Sequence, residues 1–142
     1  MIDALLLDTH IAVWLDSGNS QLRPSTRDLI DECRTRGGKI YLSAVSAWEL
    51  GQLVYSGRVK LDLPVDRWIE RFLGQTGVEG ISIGHRAASR SYQLHHLEHR
   101  DPADRLLIAA AIDLECPLVT YDGRITQFAR RWGGQYGFSV VS

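Results

Sequence analysis

Cysteine is scarce in this sequence. The chain has only Cys33 and Cys116, which form neither a CxxC pair nor a zinc-spaced set. That argues against a disulfide framework or a cysteine-based zinc module, and leaves two reduced thiols in a cytoplasmic protein as the expectation. Long apolar runs are missing as well. The longest, Leu106 to Ile112, falls far short of the ~20 residues a membrane helix needs. The opening stretch Met1-Ile2-Asp3-Ala4-Leu5-Leu6-Leu7-Asp8 carries no positive charge ahead of its apolar part, so it does not read as a signal peptide. Nor is one sign of charge in excess: 16 Lys+Arg face 17 Asp+Glu, for a formal net charge of -1. This balance excludes a uniformly basic protein that coats nucleic acid. Affinity for phosphate must come from a local patch or a bound cation.

What is present fits one domain over 1–142, with 44% hydrophobic and 23% charged residues. A chain of this length buries roughly 70% of its unfolded surface and needs no covalent staple. No repeat, low-complexity tract or Pro/Gly/Ser linker divides it. Ala4–Leu7, Lys39–Ser43, Val78–Ile83, Pro117–Thr120 and Gly137–Val141 read as short strands. Helices are expected at His10–Asp16, Pro24–Arg36, Ala44–Tyr55, Val65–Leu73, Arg86–Leu94 and Pro102–Leu114. In Val65–Leu73 a stripe of Val65, Trp68, Ile69 and Phe72 marks a core-facing side. This alternation predicts an α/β fold, a parallel sheet covered by helices on both faces. In such sheets ligands bind beyond the carboxyl ends of the strands.

Acidic residues collect at those ends. Asp8 follows the first strand, and Asp122 follows Pro117–Thr120 after one intervening residue. Each also has a plain structural use, Asp8 as a helix cap and Asp122-Gly123 as a turn. Glu49 lies on a helix that is apolar around most of its circumference, where a charged side chain needs a cationic partner or a metal. In His99-Arg100-Asp101-Pro102-Ala103-Asp104-Arg105, Pro102 suits the first helical position. Asp101 is then the N-cap, and Asp104 points from the first turn toward the strand ends. Two unpaired carboxylates ~4 Å apart repel by about 4 kcal/mol at an effective dielectric of 20. Protons or cations must neutralise such a cluster. Oxygen ligands select Mg²⁺ or Mn²⁺, which carry phosphoryl chemistry, so the spacing points to a metal-dependent phosphodiesterase.

At these residues the sequence resembles the PIN-domain ribonucleases, and within them the VapC-type toxins of bacterial type II toxin–antitoxin pairs. The matching stretches are Leu5-Leu6-Leu7-Asp8-Thr9-His10, Ser43-Ala44-Val45-Ser46-Ala47-Trp48-Glu49-Leu50, His99 to Ala109, and Leu118-Val119-Thr120-Tyr121-Asp122. The resemblance implies a three-layer α/β/α sandwich with Asp8, Glu49, Asp104 and Asp122 as catalytic, metal-binding acids, and Thr120 as a hydroxyl supporting the last aspartate. It also implies an Mg²⁺- or Mn²⁺-dependent endoribonuclease acting on RNA, in many relatives tRNA or rRNA. Such proteins usually form homodimers and are silenced by a cognate antitoxin. In the expected mechanism Asp8, Glu49 and Asp104 hold the principal ion, Asp122 completes the cluster, and water attacks phosphorus in line without a protein nucleophile. Arg100 and Arg105, flanking the acidic pair, are the expected phosphate contacts, with Arg86, Arg90, Arg124, Arg130 and Arg131 as further basic residues.

Other readings are weaker. His95, His96, Glu98 and His99 lack HExxH spacing for zinc and read better as solvated histidines near the site. Used as acid and base, they would instead give a metal-free ribonuclease. Asp8-Thr9-His10 lacks the second aspartate of a haloacid-dehalogenase-type phosphatase, and Lys39 and Lys60 do not suit a receiver domain. The non-enzymatic alternative is a PIN-like module that binds RNA or protein without cutting. Tyr55 is a candidate for a dimer or antitoxin surface, whereas Trp68 and Phe72 read as core.

Overall fold

Leu5, Leu6 and Leu7 have no exposed surface at all. A strand can bury consecutive residues only when both faces of its sheet are covered. In the computed structural model, which describes residues 2–142, these leucines form most of β1 (Ala4–Leu7) at the centre of a five-stranded parallel sheet. The other strands are β2 (Lys39–Ser43), β3 (Val78–Ile81), β4 (Leu118–Val119) and β5 (Val140–Val141), in the order β3-β2-β1-β4-β5. Leu5 pairs with Ile40, and Leu6 with Leu118.

The helices are α1 (Thr9–Ser17), α2 (Pro24–Thr35), α3 (Ala44–Tyr55), α4 (Val65–Leu73), α5 (His85–Arg90), α6 (Pro102–Leu114) and α7 (Gly123–Tyr136). Strand alternation divides the core between two layers. Leu6 and Leu118 pack with Leu107, Ile108, Ile125 and Phe128. Leu5, Leu7, Ile40 and Val119 pack on the other face with Ile11, Ile30, Trp68 and Phe72. Each such side chain contributes about 1.5–3 kcal/mol when fully buried, so the centre of the sheet is a rigid platform for whatever lies at its edge.

The expected strands and helices are present, some of them shorter: β3 stops at Ile81 and α5 at Arg90. α7 is an addition to them. Asp122-Gly123 looks like a turn, but it is the N-cap and first residue of this helix. Gly133 also hides the helix, yet its place has a cause, because a Cβ there would collide with the Phe138 carbonyl where the chain folds back toward β5. Gly137 then ends α7 in the left-handed conformation, at φ 69°.

The chain runs outward from β1 through β2 to β3, then returns to place β4 on β1's other side. The strand order therefore switches between β1 and β4, which is where open parallel sheets form their ligand crevice. Asp8 and Thr120 stand at the carboxyl ends of these two strands.

Candidate active site

Asp8 is only 8% exposed. Its Oδ1 accepts from the Thr9 amide at 2.7 Å, and its Oδ2 from the Thr120 hydroxyl at 2.6 Å. Thr120 also accepts from the Asp122 amide at 3.1 Å, so one buried hydroxyl links the two strand-end aspartates. The resemblance implies that Thr120 supports the last aspartate. It does so through the backbone of that residue, and it supports Asp8 through the carboxylate.

Asp122 and Asp101 each spend one oxygen on the helix that follows. Asp122 Oδ1 accepts from the Arg124 and Ile125 amides at 2.9 and 3.1 Å. Asp101 Oδ1 accepts from the Ala103 and Asp104 amides at 2.9 and 3.3 Å. Capping and a position at the site are thus compatible, because each carboxylate has a second oxygen. Asp104, in the first turn of α6, is 9% exposed. Glu49 is half-buried on α3. That helix is less enclosed than its sequence suggests, since Trp48 is 60% and Tyr55 94% exposed.

Asp104 joins two groups of ligand atoms. Carboxylate oxygens of Glu49, Asp101 and Asp104 lie within 4.8 Å of one another, and so do ligand atoms of His99, Asp104 and Asp122. Asp8 is close enough to raise the pKa values of both Glu49 and Asp104. Burial is the main cause in each case, and it pushes Asp104 up to about 7 with help from the charges of Asp8 and Asp101. Burial also raises Asp8, against the opposing pull of the Thr120 hydrogen bond. Glu49 is raised by burial too, while the Thr9 hydroxyl and His10 favour its charged form. Among the described residues, no lysine or arginine forms an ion pair with any of these acids.

Two expectations change here. His99 is not solvated: its Nε2 lies 2.5 Å from Asp104 Oδ2, and the side chain is 11% exposed. Its position just ahead of Asp101 and Asp104 is the signal the sequence offers. Arg105, expected as a phosphate contact, has its guanidinium engaged within the fold. Nε, Nη1 and Nη2 donate to the carbonyls of His99, Ser91 and Leu97 at 2.9, 2.9 and 2.7 Å, so Arg105 anchors the loop ahead of α6. Arg100 is exposed and forms no ion pair among the described residues.

The order of strand ends, capped helices and acids has a known counterpart: the family described as PIN domain matches residues 5–131. The chain belongs to the PIN domain family. It is 30% identical over 121 residues to Ribonuclease VapC22 of Mycobacterium tuberculosis (strain ATCC 25618 / H37Rv), covering 85% of this chain and 88% of that protein. The resemblance to VapC-type PIN toxins carried by its motifs is thereby supported along most of its length. Among solved structures, this PIN domain shares its fold with VapBC2 from Rickettsia felis, bound there to a promoter DNA fragment. The TM-score is 0.67 at 19% identity, with 97% of each chain covered. It is also similar in fold to FitAcB from Neisseria gonorrhoeae, with a TM-score of 0.57 at 18% identity, covering 97% of this chain and 96% of that one.

Proposed function

We infer that this PIN domain is an Mg²⁺- or Mn²⁺-dependent endoribonuclease and the toxin of a toxin–antitoxin pair. The observation that carries the reading is the place of Asp104 in two groups of ligand atoms at the switch of the sheet, where no arginine or lysine among the described residues forms an ion pair with the acids. The donor set fits the ion: Asp8, Glu49, Asp104 and Asp122 offer oxygen ligands of the kind hard divalent cations prefer. Such a cation supplies positive charge for a phosphodiester and lowers the pKa of an attacking water.

The chain's own groups do the positioning. Thr120 and the Thr9 amide hold both oxygens of Asp8. Asp101 and Asp122 start α6 and α7 so that Asp104 and Asp122 converge. The buried hydroxyls are already engaged. Thr9 and Ser46 share a 2.9 Å hydrogen bond, Ser43 caps α3, and Thr120 donates to Asp8, which suits attack by water rather than by a protein nucleophile.

The relatives extend the reading to partners. VapC22 carries the name ribonuclease, and the fold neighbours include a toxin–antitoxin complex from Klebsiella pneumoniae. For this chain we propose an RNA substrate of the tRNA or rRNA class, a cognate antitoxin, a homodimer and a cytoplasmic location. No helix among the described residues is long and apolar enough to cross a membrane.

Cleavage of RNA that is lost with EDTA, restored by Mg²⁺ or Mn²⁺, and abolished by Asp8→Asn supports this function. Cleavage that survives EDTA overturns it. A folded protein that binds RNA and never cuts it would favour the non-catalytic module.

A further inference from the structure

Beside the acidic centre lies a cavity of about 640 Å³, between the loop ahead of α6 and one side of α7. α7 contributes Arg124, Arg131 and Trp132, spaced so that they share a helical stripe. The loop contributes His95, His96 and His99, with Glu98 the sole acid in the lining. Arg124 and Arg131 are exposed, and neither forms an ion pair among the described residues. His96 lies flat on Trp132, with ring centroids 3.7 Å apart and planes 20° from parallel. A 2.6 Å hydrogen bond between its Nδ1 and the Tyr136 hydroxyl fixes that ring. The groove is continuous with the acids, because His99 lines it and also touches Asp104, while Arg124 Nη1 lies 3.4 Å from His99 Nδ1.

Unpaired arginines beside a flat ring stack whose outer ring, His96, is exposed over the half-buried Trp132 are a means of holding single-stranded nucleic acid, with phosphate on the cations and a base on the open ring. We propose that this groove is the seat of the substrate strand next to the cut: Arg124 and Arg131 take backbone phosphates, and the His96–Trp132 stack takes an unpaired base. The proposal rests on the nuclease reading and adds the direction in which the RNA leaves the acidic centre. It also supplies the local positive patch that a chain of net charge -1 requires.

The test uses a short fluorescein-labelled single-stranded RNA of mixed sequence and the full chain carrying Asp8→Asn, so that the strand stays whole. Anisotropy is followed across a salt series. Replacing both arginines with Gln is expected to weaken binding more than tenfold and to flatten the log–log salt slope by about 0.7 for each phosphate no longer neutralised. His96→Ala, at an exposed position, is expected to weaken binding roughly tenfold with the slope unchanged. Trp132→Ala should do the same, and thermal melting checks that it folds. Arg67→Gln, an exposed arginine on α4, is the control and should bind as the parent does. Parental affinity and slope in the double-arginine and His96 variants overturn the assignment. So does a loss confined to binding of the cognate antitoxin, which would make the groove a protein seat. Should the unmutated chain fail to cut RNA with any divalent ion while these variants still lose RNA binding, the nuclease reading falls and the groove assignment stands.

Discussion

His99 Nε2 sits 2.5 Å from Asp104 Oδ2, a contact between the loop ahead of α6 and the carboxylate shared by both acidic groups. Burial drives the Asp104 pKa up to about 7, and His99 opposes that rise through its hydrogen bond and its charge. A cation needs the carboxylate form. His99→Leu therefore leaves Asp104 protonated to higher pH, and an alkaline shift in the onset of RNA cleavage is the expected outcome. A pH–rate profile checks it. An onset that stays where the parent has it would show that His99 does not tune Asp104.

Much of this site is legible in the sequence because its signals are local. Three leucines in a row identify a strand buried on both faces, so Asp8 has to lie at the edge of the sheet. Pro102 sets the start of α6, which makes Asp101 a cap and puts Asp104 in the first turn. The groove is not legible, because it forms where two distant segments meet and one of them does not read as a helix. Ile125, Phe128, Trp132 and Tyr136 repeat at helical spacing, but the glycines at 123, 133 and 134 obscure them. Arg105 shows the same limit from another side. It directly follows Asp104, so it looks like a phosphate contact beside the acids, and only the folded loop brings three carbonyls to its guanidinium.

The raised pKa of Asp104 also bears on stability. Its ordinary value is 3.8, and in the folded chain it is about 7. Between those values the folded state binds more protons than the unfolded one, so stability falls as pH rises through that window. The raised values of Asp8 and Glu49 act in the same direction. The metal-free protein should melt at lower temperature near pH 8 than near pH 5, and Mn²⁺ should raise the melting temperature more at the higher pH. Scanning calorimetry with and without the ion checks both. A melting temperature that rises with pH in the absence of metal contradicts the account.

Asp101 allows capping to be separated from charge. Asn caps a helix about as well as Asp, so Asp101→Asn should change stability by no more than about 0.5 kcal/mol. It removes one charge from the group formed with Glu49 and Asp104, and affinity for Mn²⁺, read by titration calorimetry, should fall. Unchanged affinity with unchanged stability would reduce Asp101 to a cap.

Arg105 provides the clearest division between anchoring and substrate contact. Hydrogen bonds from a charged donor contribute about 1.5–3 kcal/mol each, and Arg105 makes them to Ser91, Leu97 and His99 while lying 5.1 Å over the Tyr92 ring. Gln cannot span these carbonyls, and Lys lacks the planar fork. Arg105→Gln should therefore lower stability by roughly 2–4 kcal/mol and speed hydrogen exchange across residues 91–99. Because those residues place His99 against Asp104, cleavage should fall as well. The salt slope of RNA binding by the folded protein should not move, since all three guanidinium nitrogens are already engaged by the loop carbonyls. A flattened slope with parental exchange rates would return Arg105 to the phosphate-binding role its sequence neighbours suggest.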